Sequence, residues 1–194
     1  MAVNLIETLQ KNTGFSGIQK IDPNTQEVKK PEEMAVEDYL GQAALPVILI
    51  GIYKYTRTDE GNTLILNGGI TGFLLNIIFG NQKAEVVSKV ASYTGNSDSF
   101  AESKMETIAQ EAVKIIRENL PKDATNQSVK DLLTSQRHEI ISYLPTSLQI
   151  GKTLNDETID DKTNKMEGPV SGIMHAIGQV FSSSGNDKKE EQNF

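Results

Sequence analysis

The chain predicts an all-α fold, a multi-helix bundle with a polar linker before a C-terminal amphipathic helix. Three observations lead there. Residues 74–144 carry three amphipathic patterns in succession with almost no slack. Gly95, Pro121 and Pro145 stand where those patterns end, as helix terminators should. The one apolar, β-branched run, residues 47–55, has no second strand-like run nearby with which to pair.

Taken in order, residues 3–10 form a short helix with Leu5, Ile6 and Leu9 on one side, stopped by Thr13-Gly14. Residues 17–33 turn polar around Asp22-Pro23-Asn24 and read as a loop or linker. Pro31-Glu32-Glu33 opens the next helix, because Pro is tolerated in a first turn and acids favour the positive end of the dipole. Pro46 ends or kinks that helix by removing a donor and crowding the preceding turn. A kinked helix continuing to about residue 57 is preferred over a buried strand, and Asp59-Glu60-Gly61-Asn62 closes it.

Residues 63–79 are locally ambiguous. Leu64, Ile65 and Leu66 begin the segment, and Gly68-Gly69 interrupts it at about 1 kcal/mol per helical Gly relative to Ala. The small residues at 68, 69 and 72 would allow a neighbouring helix to approach, and Gly80 is placed as a left-handed cap. The next helix, residues 82–93, presents Val86, Val87, Val90 and Ala91 on one face. Residues 97–119 are the longest helix, with Ala101, Met105, Ile108, Ala112 and Ile115 as its stripe, widened by Ala109, Val113 and Ile116. Residues 125–144 bury Val129, Leu132, Leu133, Ile140, Ile141 and Leu144 behind an N-cap at Thr125 or Asn126. Residues 145–154 add a helical turn.

This divides the chain into an N-terminal helix and polar linker (1–33), a helical bundle (34–154), a polar linker (155–168), an amphipathic helix (169–181) and a tail of disorder-like composition (182–194). The length of 194 residues suits one domain, and an apolar content of 37% leaves part of the chain as loop or tail.

Composition also bounds function. With 26 acidic and 19 basic residues, the net charge of −7 disfavours a general nucleic-acid surface, which needs clustered cations. Zero Cys excludes disulfides, thiolate metal sites and cysteine nucleophiles. The first residues lack the basic-then-apolar order of a secretory signal. The longest apolar run, residues 43–53, is far short of the roughly 20 residues that span a bilayer. A cytoplasmic location is expected.

Phe73-Leu74-Leu75-Asn76-Ile77-Ile78-Phe79-Gly80 is an apolar segment closed by Phe-Gly. Val86 to Gly95 is a short helix ended by Thr-Gly, and Leu132-Leu133-Thr134-Ser135-Gln136 precedes Leu144-Pro145. In these three patterns, roughly residues 72–151 resemble a YidB-like bacterial family of unknown function. The resemblance implies an all-helical bundle, partly similar to a homeodomain-type three-helix arrangement, and supplies no catalytic residue. The segments before Gly61 and after Asp161 depart from the family's pattern.

No catalytic, cofactor-binding or metal-ligating set emerges, so no enzyme and no cofactor are expected. His138 sits mid-helix between Arg137 and Glu139 and reads as solvated; His175 lies at the edge of the last apolar stripe. The acidic patch of Asp156, Glu157, Asp160 and Asp161 lacks the central Gly of a calcium loop. Gly68-Gly69-Ile70-Thr71-Gly72 lacks a Lys-Ser/Thr ending, and Gly151-Lys152-Thr153 has Thr146 where a phosphate loop needs Gly.

The functional reading is a non-catalytic protein acting by protein–protein contact or self-association. Its candidate surface is Val170, Ile173, Met174, Ile177, Val180 and Phe181, spaced to share one helical face that either folds back to complete the bundle or docks onto another copy or another protein. One alternative is a helix-turn-helix DNA binder reading through the helix at 125–143, which offers Lys130, Arg137 and His138. The other is a small-molecule or hydrolytic pocket near the glycines at 68, 69 and 72. A membrane-surface role is disfavoured because the last helix has no cations on its polar side.

Overall fold

A computed structural model describes residues 3–28, 36–68 and 73–160, the side chains of 36–38 excepted. Among them every regular element is helical. The order is α1 (Leu5–Thr13), α2 (Val36–Tyr55), α3 (Asp59–Asn67), α4 (Leu74–Phe79), α5 (Lys83–Thr94), α6 (Asp98–Glu118), α7 (Asn126–Ile141) and α8 (Ile150–Thr153). Short 3-10 turns at Gly80–Gln82, Thr146–Leu148 and Glu157–Ile159 join the later elements.

Helix α2 is the axis of the bundle. Every residue from 40 to 52 is buried, so this central stretch of the helix has no solvent face. A helix apolar all round must be enclosed, and α1, α3, α4, α5, α6 and α7 all pack against it. The local ambiguity of residues 47–55 is thereby settled as helix. Pro46 lies inside it, where a proline costs about 3 kcal/mol in an isolated helix. Burial of the flanking Leu45, Val47, Ile48 and Leu49 offsets that cost. Gly51 lets α4 approach: a Cβ there would sit on the Phe79 ring and 2.8 Å from Ile78 Cγ2.

Asp59-Glu60-Gly61-Asn62 does not close an element but opens α3. Thr58 accepts the Gly61 N–H at 3.1 Å, and Asp59 and Glu60 occupy the first turn. The same small polar residues that end a helix also begin one, and here the threonine cap and the acids decide. Gly61 has no room for a side chain, because the Tyr55 carbonyl fills the place a Cβ would take. Gly80 has the expected positive φ of 52° but a ψ of −128°, so it is a glycine-specific turn and not a left-handed cap.

The segments read from sequence as linkers are partly core. Helix α1 buries Leu5, Ile6 and Leu9 in the same cluster as α2, and Ile21, Gln26 and Val28 of the following loop are buried too. The polar stretch from residue 155 buries Ile159 completely. Leu132, expected in the core, is only partly buried, whereas Gln136 is buried because its Oε1 accepts the Leu5 N–H of α1 at 3.1 Å. The expected stripes of α5 and α6 are all buried.

Candidate functional site

Several of the polar groups singled out in the sequence are engaged within the fold. On α7, Lys130 Nζ lies 3.6 Å from Asp59 Oδ1. Arg137 Nη2 donates to the Thr158 carbonyl at 3.1 Å and to its hydroxyl at 2.8 Å. Tyr53 gathers two guanidiniums, with Arg57 Cζ 4.3 Å and Arg137 Cζ 5.8 Å from its ring centroid. Arg57 Nη2 also donates to Thr134 Oγ1 at 2.8 Å. The cations that would face a DNA groove thus bind α7 to α2, α3 and the turn at Glu157–Ile159. His138 is exposed on the same helix.

The acidic patch is likewise partly turned inward. Asp160 accepts the Gly151 N–H at 3.0 Å with one oxygen and the Lys152 N–H at 2.8 Å with the other. Its carboxylate occupies the place at Gly151-Lys152-Thr153 where an anion would bind. Thr153 Oγ1 donates to Glu85 at 2.7 Å and receives Lys89 Nζ at 2.6 Å. The Thr153 and Lys89 bonds hold the Glu85 carboxyl below its ordinary range. Among the described residues no group of three or more His, Asp and Glu could hold a metal ion. Gly68 has φ 59° and lies against the Arg117 guanidinium; residues 69 and 72 fall outside the described residues.

One opening among the described residues is a groove of about 740 Å³ between the end of α1 and the outer side of α6. Leu40 and Ile108, both buried, form its floor, and Phe15 and Phe100 are its aromatic walls. Phe15 packs over Gly41, where a Cβ would lie 2.7 Å from its Cγ. Phe100 is 40% exposed. Lys104 Nζ stands 5.6 Å from the Phe100 ring, leaving its methylene stem along the wall. Glu111 on the rim accepts from Asn12 Nδ2 at 2.8 Å and from Lys114 Nζ at 3.1 Å. The Asn12 bond, and after it Lys114, keep the Glu111 carboxyl below its ordinary value.

Among the described residues the other large exposed apolar side chain is Phe73, 76% exposed at a left-handed φ of 61°. It leads into α4, whose first amides, Leu74 and Leu75 N–H, are taken by the Glu106 carboxylate at 2.7 and 3.0 Å.

The groove was not read from the sequence. Phe100 sits one place before the core position Ala101, and Phe15 lies in a loop; only their meeting across Leu40 makes a site. The candidate surface of Val170, Ile173, Met174, Ile177, Val180 and Phe181, with His175, lies outside the described residues. No helix among the described residues is long and apolar enough to cross a membrane. Comparison with protein families, characterised proteins and solved structures finds no match to this chain.

Proposed function

We propose that this chain is a non-catalytic helical interaction protein that contacts a protein partner, or another copy of itself, through an apolar helix face. The surface is the stripe Val170, Ile173, Met174, Ile177, Val180 and Phe181, six apolar side chains at helical spacing on a segment with no charged side chain except what His175 can carry. One observation supports the reading above others: the polar constellations that would suit catalysis or anion binding are spent on internal bonds, at Asp160, Arg137 and Thr153. A buried active site instead needs convergent polar groups facing a cavity. The inward engagement of Lys130 and Arg137 weighs against the helix-turn-helix alternative. On this reading the protein works in the cytoplasm, in keeping with a start that lacks the order of a secretory signal and with no apolar run of bilayer length, and needs no cofactor.

The test compares the full chain with one ending after Glu167. The shortened chain should keep its helical circular dichroism and cooperative melting while its light-scattering mass or its capture of a partner changes. Unchanged mass and capture would remove the reading. Binding to duplex DNA that weakens steeply with added salt would favour the DNA-binding alternative instead.

A further inference from the structure

The groove between α1 and α6 matches the sequence stripe in length and chemistry. Its α6 side runs from Phe100 to Lys114, about 21 Å at 1.5 Å per residue. A helix over residues 169–181 would be about 20 Å long. The groove offers an apolar floor and two aromatic walls, and its rim carboxylate is already paired with Lys114 and Asn12. The stripe is apolar and its segment carries no acid or Lys/Arg. The stripe brings no acid, Lys or Arg to the contact and Glu111 is already paired, so the desolvation cost that remains on the groove side is that of the Lys104 ammonium beside Phe100.

A path along α7 and α1 joins the end of the described chain to the groove. The described residues end at Asp160, beside Thr158, whose hydroxyl meets Arg137 of α7 at 2.8 Å. The next residue, Gln136, receives the Leu5 N–H at 3.1 Å, so α1 starts at that same stretch of α7. Nine residues of α1, about 14 Å, then lead to Thr13 on the groove. Residues 161–168, when extended, span about 27 Å.

We propose that this groove takes the apolar stripe of residues 169–181 of the same chain. The inference rests on the reading of that stripe as a docking element and adds its resting place: a partner must compete with the groove for it. A tether this short holds the stripe at an effective concentration near millimolar, so the intramolecular contact outcompetes a second copy in dilute solution.

The absence of native Cys allows a clean test on the full chain. Thr107→Cys on the exposed groove side of α6 and Ala176→Cys beside the stripe are joined by a short bismaleimide at micromolar protein. The expected product is an intramolecular cross-link, with a yield well above that of an Asn24→Cys/Ala176→Cys pair. Adding Phe100→Glu, or separately Ile177→Asp, should lower that yield about tenfold, the loss of one aromatic or aliphatic anchor. Both changes are judged only where circular dichroism retains the native helix signal.

A yield no higher than the control pair, or one insensitive to both substitutions, overturns the proposal. Concentration-dependent cross-linked dimers overturn it in favour of a second copy. If Ile177→Asp abolishes partner capture while no cross-link ever forms, the groove proposal fails and the interaction reading stands. If Ile177→Asp changes neither capture, mass nor cross-linking, both fail.

Discussion

Replacing Gln42 by Leu tests how the enclosed α2 axis is tied to its surroundings. Gln42 is fully buried. Its Oε1 accepts the Gln19 N–H at 2.8 Å, and its Nε2 donates to the Gln19 carbonyl at 3.0 Å and the Tyr143 carbonyl at 2.9 Å. Leu has a similar volume, so it opens little cavity, but it strands three backbone groups. At about 1 kcal/mol net per lost bond, the change removes about 3 kcal/mol, against about 1 kcal/mol regained from the more apolar side chain. The expected net loss is about 2 kcal/mol, a drop in Tm of roughly 4–8 °C for a chain this size. Thermal melts by circular dichroism, with urea titration at unchanged slope, measure it. Exposed Gln110→Leu is the control, expected within about 0.5 kcal/mol. A Gln42→Leu protein as stable as the native chain would refute the claim that this amide clamps the 15–28 loop and the end of α7 to the axis.

Gly51→Ala should destabilise by about 1–3 kcal/mol, although Ala is the better helix former, because the new methyl meets the Phe79 ring and Ile78; denaturant titration reads the sign. Glu106→Ala should cost about 1–2 kcal/mol and speed hydrogen exchange at the Leu74 and Leu75 amides, which lose the carboxylate that caps them. Tyr93 has its phenol pKa pushed up, chiefly by burial and then by the nearby Glu27 charge. Its neutral form is therefore favoured by folding. That stability is complete below the unfolded value of about 10 and is lost as pH rises beyond it, so Tyr93→Phe should shallow the alkaline fall in urea midpoint. An unchanged alkaline slope would show that Tyr93 does not drive it.

Legibility in the sequence followed exposure. Helices α5, α6 and α7 lie at the surface of the bundle, so each has a wet and a dry face, and their 3.6-residue pattern marked both the helix and its core side chains, Leu132 and Gln136 of α7 excepted. Helix α2 has no wet face. A run such as residues 43–52, dry on every side, carries no period, and helix and strand look alike until the six surrounding helices are in place. The start of α3 was misread for another local reason: Asp, Gly and Asn serve stops and starts equally, and Thr58 as cap is evident only from its bond to Gly61.

The groove was illegible for a spatial reason. Phe15 and Phe100 are 85 positions apart, and nothing in either neighbourhood marks a partner. The same holds for Asp160, which looked like a solvated acid and instead holds the amides of α8.

By itself, the sequence determined the all-helical class, helices α5, α6 and α7 with their Gly and Pro stops, and the buried stripes of α5 and α6. These follow from local rules: periodic burial, side-chain capping and the special dihedrals of Gly and Pro. Only the tertiary structure decided that α2 is the axis, that α1 and Ile159 belong to the core, and which polar groups are spent internally. Those outcomes depend on contacts between distant segments, whose free energy arises when the elements meet and leaves no mark in either one alone.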